Sequence, residues 1–199
     1  YENFNRISEL FPVERVAAST RPQPWRTGRS IALPTRFERQ GTTIDTAQFL
    51  QDTDTAAPLV LKDGKIRFEQ YWLTGGPDVQ WLSMSVAKSF VSAMLGIAVA
   101  DGRIGSIHDP VDKYLPELAG SGYAGVSIKD VLQMSSGVRW NEDYADPQSD
   151  IFRFAHVMAS GSSFAAFPAT LTRQHEPGTF NRYNSTDTIV LGMLLERVT

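Results

Sequence analysis

From Phe90 to Ala100 the chain carries no charge, and only Ser92 and Gly96 break its run of apolar side chains. A helix that is apolar around most of its circumference has to be enclosed by other elements. The run is well short of the roughly 18 residues that a membrane span needs, so it predicts a core helix. Immediately before it stand Ser83-Met84-Ser85-Val86-Ala87-Lys88-Ser89, and Asp101-Gly102 follows as a stop. The predicted helix therefore runs from about Met84 to Ala100 and starts on a serine and a lysine. Three residues is close to one turn, so Ser85 and Lys88 face the same way and can touch.

The 199 residues are 42% hydrophobic and 21% charged with a net charge of −3, which suits one good-sized domain, or one and a half. The arginines are scattered rather than clustered, so there is no basic footprint for nucleic acid. The absence of cysteine excludes disulfides and thiolate metal sites and fits a periplasmic, secreted or cytoplasmic protein alike. His108, His156 and His175 lack metal-ligand spacing, and Asp143, Asp146 and Asp150 lack the glycine and terminal glutamate of a calcium loop. No metal or cofactor is expected. The chain opens on Tyr1 rather than Met, so a targeting peptide is expected to have been removed or left out.

Residues 1–57 read as an irregular N-terminal arm. Phe4, Ile7, Leu10 and Phe11 predict a short helix stopped near Pro12, and Arg21 to Pro34 predicts an extended surface arm. A second region, 58–199, begins with the clearest strand signal. Leu59-Val60-Leu61 and Ile66 to Trp72 flank Asp63-Gly64, a hairpin turn, within 58–72. Two strands alone do not make a stable sheet, so this hairpin needs partners. Residues 81–199 read as mostly helical. Short turns are expected around Val111 and Leu115, a helix capped by Ser127 over Ile128 to Met134, another over Ile151 to Ala159, and a last one from Ser185 or Thr186 to the end.

A serine hydroxyl beside a lysine that can lose its proton is a route to an activated nucleophile. Composition alone supplies roughly 0.4 Ser-x-x-Lys matches in such a chain, so the spacing gains its weight from context. Ser85 opens a helix, where unpaired N–H groups and the dipole favour negative charge developing on oxygen. A lysine at the root of a buried helix needs a partner or a task, and burial favours its neutral amine. The plainer reading makes Ser85 a helix cap and Lys88 a surface lysine lying along apolar neighbours. The second element is Glu176-Pro177-Gly178-Thr179-Phe180-Asn181-Arg182-Tyr183-Asn184-Ser185, a glycine-containing turn that delivers Tyr183 just ahead of the last helix. A tyrosine there can relay protons if an ammonium lowers its pKa; the plainer reading is a capping or core tyrosine.

These residues carry a resemblance. Ser85-Val86-Ala87-Lys88, followed about a hundred residues on by Pro177-Gly178, Phe180 and Tyr183, resembles the serine β-lactamase and penicillin-binding-protein superfamily. Within it the chain is similar to the class C-like branch, with its esterases and nylon-oligomer (6-aminohexanoate-dimer) hydrolases. Asp109-Pro110-Val111, Tyr114-Leu115-Pro116, Ile128 to Leu132, Met134-Ser135-Ser136-Gly137 and Asp187 to Thr199 extend the resemblance across roughly Pro58 to Thr199. The loop Trp140-Asn141-Glu142-Asp143-Tyr144-Ala145-Asp146-Pro147 is similar to the nylon-hydrolase subgroup. The resemblance implies an α/β (α+β) β-lactamase-like fold, a helical region plus part of an antiparallel sheet. It implies that Ser85 forms an acyl-enzyme, that Lys88 assists its deprotonation, and that Tyr183 carries the proton to the leaving group. It also implies an oxyanion donor in the Ser85 backbone N–H, and substrate contacts from Tyr144 and Ser185.

Two departures refine these expectations. Ser185 stands where the superfamily commonly has Asn two residues after its tyrosine, which favours ester or small-amide hydrolysis over a penicillinase. Asn184 lies one residue early and is expected to point elsewhere. The third motif, Lys-Thr-Gly or His-x-Gly, has no match after Tyr183, and Arg26-Thr27-Gly28 resembles it in letters only. The chain is therefore expected to be the N-terminal part of such an enzyme. A C-terminal fragment or second chain would supply the missing strands, and residues 1–199 alone would be inactive or poorly folded. A β-lactamase or D,D-peptidase is the alternative within this chemistry, and a non-catalytic ligand-binding protein the alternative outside it.

Overall fold

The structure is a computed structural model that describes residues 2–11, 13–161 and 163–199. It contains two compact units, Tyr1–Ser83 and Met84–Thr199, so the division falls after Ser83 and not at the expected residue 57. In the first unit a 3-10 turn, Glu2–Asn5, leads into the short helix α1, Ile7–Leu10. Its expected stop, Pro12, lies outside the described residues.

The stretch expected to be irregular is built in part. It holds β1 (Arg26–Thr27), the hairpin β2 (Arg36–Arg39) and β3 (Thr42–Asp45), and helix α2 (Thr46–Asp52). Gln40 and Gly41 turn this hairpin at φ 50° and 78°, the left-handed pair that a two-residue connection requires. Asp45 then caps α2 by accepting from the Gln48 N–H at 3.0 Å. Each of the two strands buries one residue in part, Phe37 and Ile44, so no alternation long enough to read was present.

The predicted hairpin is formed by β4 (Leu59–Lys62) and β5 (Lys65–Glu69), with Asp63 and Gly64 at φ 54° and 66°. Its partner comes from upstream: β1 runs parallel to β5, Arg26 opposite Lys65 and Thr27 opposite Ile66. The sheet order is β1-β5-β4. The expected surface arm is thus in part an edge strand, and the need for a third strand is met there.

The second unit follows the expected helical order. A 3-10 turn, Met84–Val86, opens α3 (Ala87–Ala100), and α4 (Ile128–Leu132), α5 (Asp150–Ala159) and α6 (Ser185–Val198) follow. Ser127 caps α4 by accepting from the Asp130 N–H at 3.0 Å. Leu95 and Ala98 of α3, Ile128 and Val131 of α4, Phe154 of α5 and Val190, Leu191 and Leu194 of α6 join one buried cluster with Tyr123 and Trp140. Each of the Leu, Ile, Val and Phe side chains among them contributes about 1.5–3 kcal/mol on burial.

One expectation fails here. α3 is not enclosed: Phe90, Met94 and Ile97 are 66%, 54% and 60% exposed. They lie four and three residues apart and form one stripe, while the neighbouring stripe carries the buried Leu95 and Ala98. An all-round apolar sequence says that a helix is to be covered, not that this unit covers it.

The segment before α6 is pinned to the segment after α4. Arg139 N–H donates to the Thr172 carbonyl at 2.8 Å, Gln174 N–H to that of Gly137 at 2.8 Å, Gly178 N–H to that of Ser135 at 2.8 Å, and Arg182 N–H to that of Met134 at 2.9 Å. Gly137 sits at φ 74° against the His175 carbonyl, which any Cβ there would strike. A Gly137→Ala variant is expected to lose about 2–3 kcal/mol, combining left-handed strain with a backbone collision that no rotamer relieves. Urea denaturation of the two proteins side by side checks this; an unchanged midpoint would show that the segment is not held in this way.

Candidate active site

Met84 stands at φ 46°, a left-handed conformation unusual for a side chain without a local hydrogen-bonding oxygen or amide. It turns the chain into the 3-10 turn that carries Ser85. Val86, not Ser85, occupies the N-cap of α3, and no side chain caps it. The reading of Ser85 as a helix cap therefore does not hold. Its Oγ instead accepts two hydrogen bonds, from Lys88 Nζ at 3.1 Å and from the Tyr183 hydroxyl at 2.7 Å. Lys88 is half-buried and its ammonium lies 5.3 Å from the Tyr183 ring centroid, where the ring face favours a cation.

Tyr183 reaches Ser85 because its turn is clamped on both sides. Arg182 is bonded to Met134 as described, and Asn184 caps α6 by accepting from the Thr186 N–H at 2.8 Å. Asn184 is buried and gives its amide to Asp187 at 3.0 Å, so it does point away from Ser85. Partial burial alone would raise the Tyr183 pKa. The Ser85 hydroxyl and the Lys88 ammonium favour the phenolate more strongly and leave it below the usual tyrosine value, against an opposing push from the Glu142 charge.

Glu142 was not singled out by sequence reasoning, yet it organises the other two expected site residues. Its Oε2 accepts from Trp140 Nε1 at 2.7 Å and from the Ser185 N–H at 3.1 Å. Its Oε1 accepts from the Ser185 hydroxyl at 2.8 Å and from the Tyr144 hydroxyl at 3.1 Å. The donating capacity of Ser185 is thus spent on Glu142, and toward a ligand its hydroxyl is left as an acceptor. Tyr144 is 68% exposed and rests edge-on against Phe152, with ring centroids 6.3 Å apart. Burial first, and then the Glu142 carboxylate, raise its phenol pKa, which keeps it a donor. The spacing Trp140-x-Glu142-x-Tyr144 was the available signal, since the two aromatic residues bracket the acid.

The geometry thus brings Ser85, Lys88 and Tyr183 together and holds Tyr144 and Ser185 on one carboxylate beside them. Of the acidic residues weighed as a calcium loop, Asp150 is buried and engaged by the Asn141 N–H at 2.9 Å and by Arg153 at 2.6 Å.

Comparison with known proteins gives the family of the chain. The chain is 36% identical to a 6-aminohexanoate-dimer hydrolase of Paenarthrobacter ureafaciens, over 98% of this chain and 50% of the relative. Among solved structures, one described as a 6-aminohexanoate-dimer hydrolase from Bacillus anthracis superposes with a TM-score of 0.82 at 17% identity, covering 100% of this chain and 54% of that one. A class C β-lactamase gives a TM-score of 0.51 at 20% identity over 75% of this chain and 41% of its own. At these identities the two structures speak for the fold alone. The chain spans about half the length of the curated relative it matches. The β-lactamase family model matches residues 43–199, a stretch that takes in Ser85, Lys88, Tyr183 and the carboxylate that organises Tyr144 and Ser185, and the chain belongs to that family.

Proposed function

We propose that this chain carries the nucleophile side of a serine hydrolase that cleaves an ester or a small amide through an acyl-enzyme on Ser85. One observation supports this above the rest: a single serine oxygen receives an ammonium at 3.1 Å and a phenol at 2.7 Å. In the neutral form Tyr183 donates to Ser85. Once the phenol is ionised the same contact reverses, and Ser85 donates its proton to the phenolate as its oxygen attacks the carbonyl carbon. Lys88 stabilises the phenolate. The proton held by Tyr183 then passes to the leaving alcohol or amine. A water deprotonated by the same phenolate attacks the acyl carbon, and Tyr183 returns that proton to Ser85 Oγ as the C–Oγ bond breaks. The Ser85 backbone N–H is the candidate donor to the oxyanion.

The name of the 36% identical relative supports a small-molecule amide as one substrate class. In that reading Tyr144 and Ser185, whose single O–H groups are both committed to Glu142, each offer a hydroxyl oxygen that accepts from a substrate N–H, Tyr144 from its exposed position beside the site. We further infer that polypeptide from outside these residues, a C-terminal fragment or a second chain, completes the site. The missing third motif and the open apolar stripe of Phe90, Met94 and Ile97 support this.

The test is intact-mass spectrometry after exposure to a fluorophosphonate, on the isolated protein with everything that co-purifies. One adduct is expected, on the Ser85 peptide, and none in Ser85→Ala; labelling that survives in Ser85→Ala overturns the assignment. Full hydrolytic activity from residues 1–199, shown to be monomeric and free of other polypeptide, would overturn the completing segment. Electrostatics adds a sign. Glu142 holds protons on Tyr183, so Glu142→Gln is expected to lower the Tyr183 pKa further and to move the acidic limb of the labelling rate to lower pH. An unmoved or upward-shifted limb would exclude that coupling.

A further inference from the structure

Behind Tyr183 lies a cluster of four buried polar side chains that the chemistry above does not use. Asp187, in the first turn of α6, is 1% exposed. Its Oδ1 accepts from the Tyr123 hydroxyl at 2.8 Å, the Ser136 hydroxyl at 2.8 Å and the Asn184 amide at 3.0 Å. Its Oδ2 is buried too and has no hydrogen-bond partner among the described residues. A carboxyl so placed is a poor way to stabilise a core, because one oxygen is left desolvated and unserved. An apolar side chain would pack there at lower cost. It could not hold Asn184.

Asn184 is the residue between Tyr183 and Ser185. Its carbonyl oxygen is fixed on the Thr186 N–H and its amide on Asp187, so both ends of the side chain are tied. The Tyr183 ring itself is 45% exposed and cannot be held by packing, so the site of its hydroxyl depends on its backbone. That backbone is anchored through Arg182 on one side and through Asn184 on the other. Through Asp187 the second anchor is joined to the Tyr123 segment and, at Ser136, to the same stretch of chain that holds Arg182.

We propose that Asp187 is a positioning residue for the Tyr183 hydroxyl, acting through Asn184, which it ties to the Tyr123 and Ser136 segments. The proposal rests on the reading of Tyr183 as the proton carrier. Burial pushes the Asp187 carboxyl up to about 7, against the pull of its donors Tyr123 and Ser136. When ionised it receives three charge-assisted bonds; when protonated it receives weaker ones, and the hold on Asn184 slackens. Tyr123 does not share the titration, because burial first and then Asp187 keep its phenol well above the usual value. The other titratable groups on elements packed against α6 face elsewhere. Lys88 of α3 faces Ser85 and Tyr183, Asp130 of α4 faces Ser127, and Lys129 of α4 is exposed. Glu142, against the first residue of α6, faces Ser185, Trp140 and Tyr144.

The test reads Tyr183 with and without chemistry. With 13Cζ-labelled tyrosine, the Tyr183 resonance, assigned by its loss in Tyr183→Phe, is expected to move through a transition near pH 7 in the natural protein. Asp187→Asn keeps an acceptor oxygen but does not titrate, so the transition should be absent there. In parallel, the limiting rate of fluorophosphonate labelling at pH 8 is expected to fall about 10-fold in Asp187→Ala with its half-saturating concentration unchanged, and to stay within about threefold in Asp187→Asn. A Tyr183 resonance that ignores pH near 7, or titrates identically in Asp187→Asn, overturns the proposal; so does an unaltered labelling rate in a folded Asp187→Ala. Should Asp187→Ala fail to fold by circular dichroism, the resonance and Asp187→Asn decide alone. An expected resonance shift in a protein that fluorophosphonate never labels would refute the acyl-enzyme on Ser85 and leave Asp187's role standing.

Discussion

Tyr183 stands 98 residues from Ser85 along the chain, and the contact between them is 2.7 Å. Everything else at the site depends on that approach. It is made by backbone pairing: residues 172–182 lie along 134–139 and are bonded carbonyl by carbonyl, with Gly137 accepting the closest crossing. Side-chain packing alone would not define the position of a phenol that is nearly half in solvent. Main-chain hydrogen bonds between two segments, one ending α4 and the other leading into α6, do so to within a hydrogen-bond length.

The electrostatic order follows from this geometry. Tyr183 lies between a cation and an anion, Lys88 favouring its phenolate and Glu142 its phenol. Lys88 is one turn from Ser85 and comes with it. Glu142 belongs to a different loop, where it also anchors Ser185, Trp140 and Tyr144. A single carboxylate therefore couples the placement of two candidate substrate contacts to the proton affinity of the candidate proton carrier. Changes in the Trp140–Tyr144 loop will be felt at Tyr183 without touching it.

The helices and the Asp63-Gly64 hairpin were legible in the sequence because each rests on short-range chemistry. Ser127 caps its helix, Asp101-Gly102 stops another, and apolar spacing marks the faces in between. The three residues at the centre of the site were legible because two of them are one helical turn apart and the third carries the family motif. What was not legible needed partners distant in sequence. β1 is a strand only because β5 lies beside it, and β2 and β3 each half-bury one side chain. Glu142 looked like one acid in a polar loop, since its four donors come from Trp140, Tyr144 and the remote Ser185. The enclosure expected of α3 failed for a related reason: apolarity states a requirement, and only the fold says where it is met.

Met84 shows what such a site asks of the chain that bears it. A non-glycine residue at φ 46° gives up about 1 kcal/mol of folding free energy, and here it does so in the residue before Ser85. Glycine at that position would relieve the strain in the folded chain, but it would also widen the range of conformations open to the nucleophile's backbone. Stability and the aim of Ser85 are therefore opposed at one residue, and selection for a more heat-resistant chain would work against the fixed direction of its serine.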